Sequence, residues 1–160
     1  MKTKQAIFDQ LIEESLPMLR NTAYGILGNT ADADDAVQEA LVKAWKGFSI
    51  FQSRSKLSSW VYRITVNVAY DMQRKQQRET QNLKDYTPED GENCDNEAMI
   101  ESLTSAIAEL PDTYREALTI VYYGGVSGDT AAKQLGCNVN TFYWRISRAK
   151  EMLYDKLKDL

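Results

Sequence analysis

Apolar residues recur three and four positions apart along almost the whole chain, and no stretch keeps up a strict apolar/polar alternation. That period belongs to helices with one buried face, not to strands. The first such stretch, about residues 4–15, sets Ile7, Phe8, Leu11 and Ile12 on one side. A second runs from about Leu16 to Leu27, with Pro17 tolerable in its first turn, and stops at Gly28-Asn29. A third, from about Thr30 to Phe48, opens with Asp32, Asp34 and Asp35, whose charges suit the positive end of a helix dipole. The loop SIFQSRSKL leads into a fourth helix, about Ser58 to Arg78. The segment QNLKDYTPEDGENCDN then offers turn residues and acids with almost no apolar period, which predicts a flexible tether. Helical spacing resumes near Asn96, breaks at Leu110-Pro111, continues from Asp112 to Tyr123, pauses at Gly124-Gly125, and ends in two helices around Gly136. The expected fold is all-α: two small helical domains, residues 1–80 and 96–160, joined by a flexible acidic linker over 81–95.

Composition narrows the function classes. The 160 residues are 43% apolar and 26% charged, a globular balance. No apolar run reaches bilayer length, so direct membrane insertion is not expected. The start, MKTKQAIFDQ, meets acids where a signal core would be apolar, and a cytoplasmic protein is expected. Two cysteines and no histidine leave neither a disulfide framework nor a plausible zinc set, and no metal or other cofactor is expected. The missing histidine removes the commonest general base, and no nucleophile motif or glycine-rich phosphate loop is present. The expectation is a protein that is not an enzyme.

Net charge is −4, which argues against a nonspecific nucleic-acid coat. Its distribution is more telling. Residues 1–84 hold twelve Lys/Arg and nine Asp/Glu, residues 85–114 hold nine acids and no base, and residues 115–160 hold seven bases and five acids.

Three helices have outward faces that invite a partner. In the third, Val37, Leu41, Ala44, Trp45 and Phe48 make an apolar stripe, while Asp35, Gln38, Glu39, Val42 and Lys46 share the far side. That far side is either a solvated face with one stray valine or a docking face with a small dry centre. In the fourth, Val61, Ile64, Thr65, Val68 and Met72 form the inner face, and Trp60, Arg63, Asn67, Asp71, Arg74 and Arg78 line another. Residues 54–78 hold six Lys/Arg against one acid. Cationic, aromatic and amide groups in one row supply phosphate contacts, stacking and base-edge hydrogen bonds, as single-stranded nucleic acid requires; a solvated basic face has the same look. Finally, GDTAAKQLGCNVNTFYWRISRAKEML reads as a short helix of small residues, a glycine turn and a longer helix, the spacing of a helix-turn-helix or of a plain helical hairpin. Phe142, Ile146, Ala149 and Leu153 face inward there, while Asn140, Thr141, Trp144, Ser147 and Arg148 face out and Arg145 stands at the edge.

Taken in order, these stretches resemble the extracytoplasmic-function group of bacterial RNA polymerase sigma factors. ILGNTADADDAVQEALVKAWKGF is similar to the family's polymerase-binding helix, and SWVYRITVNVAYDMQRK to its promoter-melting helix. The stretch from ELPDTYREAL to SRAKEML is similar to its C-terminal helix-turn-helix module. The resemblance implies a protein that binds core RNA polymerase, through its β′ clamp helices and β flap, and directs it to promoter DNA. It implies polymerase contacts from Asp35, Gln38, Glu39 and Val42. It implies contacts to the −10 element from Trp60, Arg63, Asn67, Arg74 and Arg78, with Asn67 reading a flipped base. For the −35 element it implies Asn140, Thr141, Tyr143, Trp144, Arg145 and Arg148. An anti-sigma partner, often membrane-anchored, is usual in the family. This chain departs from the family pattern at Asp129-Thr130-Ala131, at Asn138-Val139-Asn140-Thr141 and at Tyr143-Trp144, so the promoter sequence is not carried over. The rival readings are a free-standing helix-turn-helix regulator and a sigma mimic that binds only protein.

Overall fold

The computed structural model describes residues 3–51, 57–83 and 94–158, all of whose regular structure is helical. Helix α1 spans Lys4–Leu27, α2 Thr30–Gly47, α3 Leu57–Leu83, α4 Cys94–Glu109, α5 Asp112–Tyr123, α6 Gly128–Gln134 and α7 Val139–Leu157, with one 3-10 turn at Phe48–Ile50. Most of the expected acidic linker, residues 84–93, lies outside the described residues.

The two helices expected over residues 4–27 are one. Pro17 sits inside α1, where its missing N–H and its ring together cost about 3 kcal/mol. What carries the helix through is an inward stripe that does not change phase at the proline: Phe8, Leu11, Ser15, Met18, Leu19, Thr22, Ala23 and Ile26 are all buried. Two separate helices would have to break that stripe. The Thr3 hydroxyl caps the start, and Gly28, at φ 82°, supplies the left-handed residue that ends it.

Helix α2 begins at Asn29, whose side chain accepts from the Asp32 N–H. Its buried side is mostly alanine (Ala33, Ala36, Ala40 and Ala44, with Val37), which lets α1 and α3 approach closely. Trp45, expected on the inner stripe, sits at its edge and is partly exposed, with Phe8 edge-on at 5.2 Å. Polar ties fix the three-helix body: Arg20 to Asp34 at 3.1 Å and Gln76 to Asp32 at 2.8 Å.

In the C-terminal half, α6 closes on the left-handed Gly136 (φ 71°). The Gly136 N–H bonds the Lys133 carbonyl and the Cys137 N–H bonds the Ala132 carbonyl, so orphan carbonyls at the helix end are satisfied. Ala131 and Ala132, both buried, bring α6 down onto α7, whose Phe142, Ile146, Ala149 and Leu153 are buried as expected. Asn138 caps α7, accepting from the Thr141 N–H at 2.8 Å. The unit is a helix-turn-helix.

Helix α5 joins the halves. Arg115, Glu116, Ala117, Leu118, Thr119 and Ile120 are buried in an unbroken run, because α7 covers one side and α1 and α3 the other. One apolar core accordingly runs from Leu19 and Val61 through Ile120 to Phe142, and a smaller second cluster packs Ala106, Leu110, Leu118, Ala149 and Leu153.

Candidate polymerase and nucleic-acid interface

Four residues expected to meet polymerase share the outer face of α2. Asp35, Gln38, Glu39 and Val42 are all exposed, and Val42, at 52%, is the apolar centre of the group. Glu39 pairs with Lys43 at 3.1 Å one turn on, an exposed contact of small energetic weight.

The outer face of α3 is divided. Arg74 and Arg78 point to solvent, Arg74 with Asp71 at 3.0 Å. Trp60 is half-buried in an aromatic row: its ring lies 5.0 Å from Phe51, and a Cβ on Gly47 would fall 3.1 Å from it. Arg63 and Asn67 meet α5. Arg63 forms an ion pair with Glu116, and Asn67 accepts a hydrogen bond from the Arg115 guanidinium. Arg115 also donates to the Ala108 carbonyl at 2.8 Å and to Asp112 at 2.6 Å, and lies 5.6 Å from the Tyr70 ring centroid. Burial pushes the Glu116 carboxyl above the usual carboxylate range, and the Arg63 guanidinium pulls it part of the way back.

Beneath these charges runs a buried hydroxyl chain. The Tyr62 hydroxyl lies 3.1 Å from Thr22 on α1 and 3.3 Å from Thr119 on α5. Burial raises the Tyr62 hydroxyl well out of its ordinary titration range, so it stays protonated and available as a donor. Tyr62→Phe is expected to cost about 1 kcal/mol, the net value of a neutral hydrogen bond, read as a shift in urea midpoint at unchanged slope. Thr119 keeps its bonds to the Arg115 and Glu116 carbonyls, so the cost falls on the buried Thr22 hydroxyl, which loses its Tyr62 partner.

On α7, Asn140, Tyr143, Trp144 and Arg148 are exposed, and Thr141 and Arg145 are half-exposed. Tyr143 packs over Gly128, where a Cβ would come within 2.2 Å of its hydroxyl. Trp144 leans on Tyr114 with ring centroids 6.2 Å apart, and Arg148 pairs with Glu151 at 2.9 Å. Arg145 does not point away from the N-terminal half. It lines a cleft of about 130 Å³ together with Trp60, Arg63 and Glu116.

Sequence reasoning missed Arg115, Glu116 and Thr119. A partial signal was present: Leu118 and Ile120 stand on different faces of α5 and both are buried, as on a helix covered on two sides, while Val121, Tyr122 and Tyr123 beyond them are exposed. Among the described residues no group of acids and cysteines is arranged to hold a metal, and no helix is long and apolar enough to cross a membrane.

Comparison with known proteins accounts for this arrangement of faces. Residues 11–79 match Sigma-70 region 2 and residues 100–153 match Sigma-70, region 4. The chain is 34% identical over 144 residues to the ECF RNA polymerase sigma factor EcfG of Rhodopseudomonas palustris, covering 87% of this chain and 78% of that one. It is 28% identical over 176 residues to SigW of Bacillus subtilis, covering 99% and 93%. Among solved structures it is similar to the sigma factor RpoE of Bartonella quintana, determined in complex with the anti-sigma factor NepR, at 31% identity and a TM-score of 0.50 over 94% of this chain and 96% of that one. The chain belongs to the ECF RNA polymerase sigma factors, non-enzymatic polymerase subunits that act in transcription initiation.

Proposed function

We propose that this sigma factor divides its work among three faces. The outer face of α2, with Asp35, Gln38, Glu39 and Val42, docks on the β′ clamp helices of core polymerase, and the C-terminal module reaches the β flap. Residues 1–80 bind and melt the −10 element, residues 96–160 read the −35 element, and residues 81–95 link them. On α3, Asn67 reads a flipped base, Trp60 wedges at the duplex edge, and Arg63, Arg74 and Arg78 hold phosphates. On α7, residues Asn140 to Arg148 enter the major groove; Arg145 contacts a base, Arg148 a phosphate, and Tyr143 and Trp144 help set the −35 preference. The protein works in the cytoplasm, held inactive by an anti-sigma factor. The Bartonella quintana relative, solved with its anti-sigma factor, supports such a partner here.

The observation that carries this reading is the match to regions 2 and 4 in order along one chain, with exposed polar faces on α2 and α7 and with Arg74 and Arg78 exposed on α3. Run-off transcription of sheared genomic DNA from the source organism, with and without core polymerase, tests it. A free-standing regulator would bind its site without polymerase, and a protein-binding mimic would give no start sites. At a promoter recovered this way, Asn67→Ala should leave holoenzyme assembly intact. It should lower the permanganate reactivity of the melted region by about 5- to 150-fold, the worth of one good base contact. Normal opening by this variant would remove Asn67 from the site.

A further inference from the structure

The reading helix carries one outward side chain whose chemistry differs from that of its neighbours. Asn140, Trp144 and Arg148 stand four residues apart on α7 and are all exposed, so an amide, an indole and a guanidinium form one row. Arg148 is a cation, paired with Glu151 at 2.9 Å. Asn140 has the donor and acceptor that together match an adenine edge. The indole has one N–H donor and no acceptor, so it cannot make the paired hydrogen bonds by which an amide or a guanidinium selects a purine. What it offers instead is a broad apolar face, and the residue is 59% exposed.

That face has a fixed backing. Trp144 leans on Tyr114 of α5, with ring centroids 6.2 Å apart and planes inclined at 53°. Tyr114 is half-buried and packs against the cluster of Ala106, Leu110, Leu118, Ala149 and Leu153. A ring backed in this way has less rotamer freedom to lose on binding than one that sweeps through solvent. Tyr143, the neighbouring exposed aromatic, is engaged differently. Its ring meets Phe142 edge-on at 5.5 Å, and its hydroxyl sits over Gly128 at the start of α6, where a Cβ would come within 2.2 Å. The two rings are thus held by different helices, and Trp144 is the one in line with Asn140 and Arg148.

We propose that Trp144 makes the −35 preference of this chain depend on a thymine methyl group, and that Tyr114 is a positioning residue that holds the indole for that contact. The proposal rests on the assignment of α7 to the −35 element. Among the base edges in the major groove, thymine alone presents a methyl, at C5. Packing it on the indole takes apolar surface of both partners out of water, and no other base offers an equivalent. Position 144 is also one at which this chain departs from the family pattern, so the contact is particular to it.

The DNA itself is the probe. Deoxyuridine in place of thymine removes the methyl and leaves every hydrogen-bonding group of the base unchanged. A promoter recovered by run-off transcription is rebuilt with each −35 thymine, on either strand, replaced singly, and holoenzyme binding to each duplex is measured. At one position or more the unaltered chain should bind the deoxyuridine duplex about fourfold more weakly, the ~0.8 kcal/mol of one buried methyl at ~1.4 kcal/mol per tenfold. With Trp144→Ala the two duplexes should bind equally at that position, as a double-mutant cycle requires of a direct contact. Tyr114→Phe should keep the discrimination and Tyr114→Ala should lose most of it. Each ratio compares two duplexes with the same protein, so any loss of folded protein cancels, and a purely structural Tyr114 would leave the ratio unmoved. An element without a methyl-sensitive thymine overturns the proposal, as does a Trp144→Ala variant that still discriminates. Full discrimination by Tyr114→Ala overturns the positioning role. If base changes throughout the −35 element leave holoenzyme binding unaltered, the assignment of α7 itself falls, and not this contact alone.

Discussion

Phe142→Ala is expected to unfold the helix-turn-helix and abolish −35 recognition. The ring is completely buried, beneath the tight α6–α7 turn. Truncating a buried phenylalanine costs about 3–5 kcal/mol, part lost transfer energy and part the cavity left behind. The neighbours are poorly placed to fill that cavity. Ala131 and Ala132 have nothing to extend into it, and the turn beside them is fixed by the left-handed Gly136. Against a total stability of about 5–15 kcal/mol, the loss takes most of what a small module has. The melting temperature should fall on the order of 15–30 °C by circular dichroism. Tyr154→Ala, at an exposed position of the same helix, should stay within about 0.5 kcal/mol of the unaltered chain. A Phe142→Ala variant that melts with Tyr154→Ala would mean that the α6–α7 packing is not what holds the reading helix.

How much of this was legible in sequence depends on how each residue is buried. The α7 stripe was legible because Phe142, Ile146, Ala149 and Leu153 repeat at helical spacing and are buried by one neighbouring face. The turn at Gly136 was legible because few residues other than glycine take a positive φ. The continuity of α1 was not, because Pro17 is a local signal for a start, and only the tertiary stripe on both sides overrides it. Helix α3 shows a second limit. Its expected inner face, Val61, Ile64, Thr65, Val68 and Met72, is buried or half-buried, yet Tyr62, Val66, Ala69 and Tyr70 are buried too. One amphipathic stripe describes a helix with one neighbour, and α3 has α1, α2 and α5 around it.

The contact between the modules was the least legible feature of all. A tether of acids and turn residues reads as leaving their spacing undefined, and nothing local in PDTYREALTIVYY says which charges are solvated. Arg115 and Glu116 look like surface residues in a sequence. Only the positions of Asn67 and Arg63 opposite them reveal partners that make their burial tolerable. Pairing across nearly fifty residues or more leaves no periodic trace.

The other large effect is expected on the opposite side of the molecule, at α2. Val42→Asp should weaken binding to core polymerase by about 30- to 1,000-fold, the loss of roughly 2–4 kcal/mol typical of a central interface residue. Val42 is the apolar member of a face otherwise made of Asp35, Gln38 and Glu39, and it lies on the far side of α2 from buried Ala36, Ala40 and Ala44. The substitution therefore removes the dry centre of a docking face and adds a third carboxylate beside Asp35 and Glu39. A desolvated charge without a partner is the costlier half of that change. The folded chain should barely notice, because an exposed helix position tolerates aspartate for about 0.7 kcal/mol or less. Co-purification with core polymerase and thermal melting of the free chain separate the two readouts. A variant that melts normally but no longer joins polymerase would assign the face. One that joins polymerase normally would leave α2 as an ordinary solvated helix and move the docking surface elsewhere on the N-terminal half.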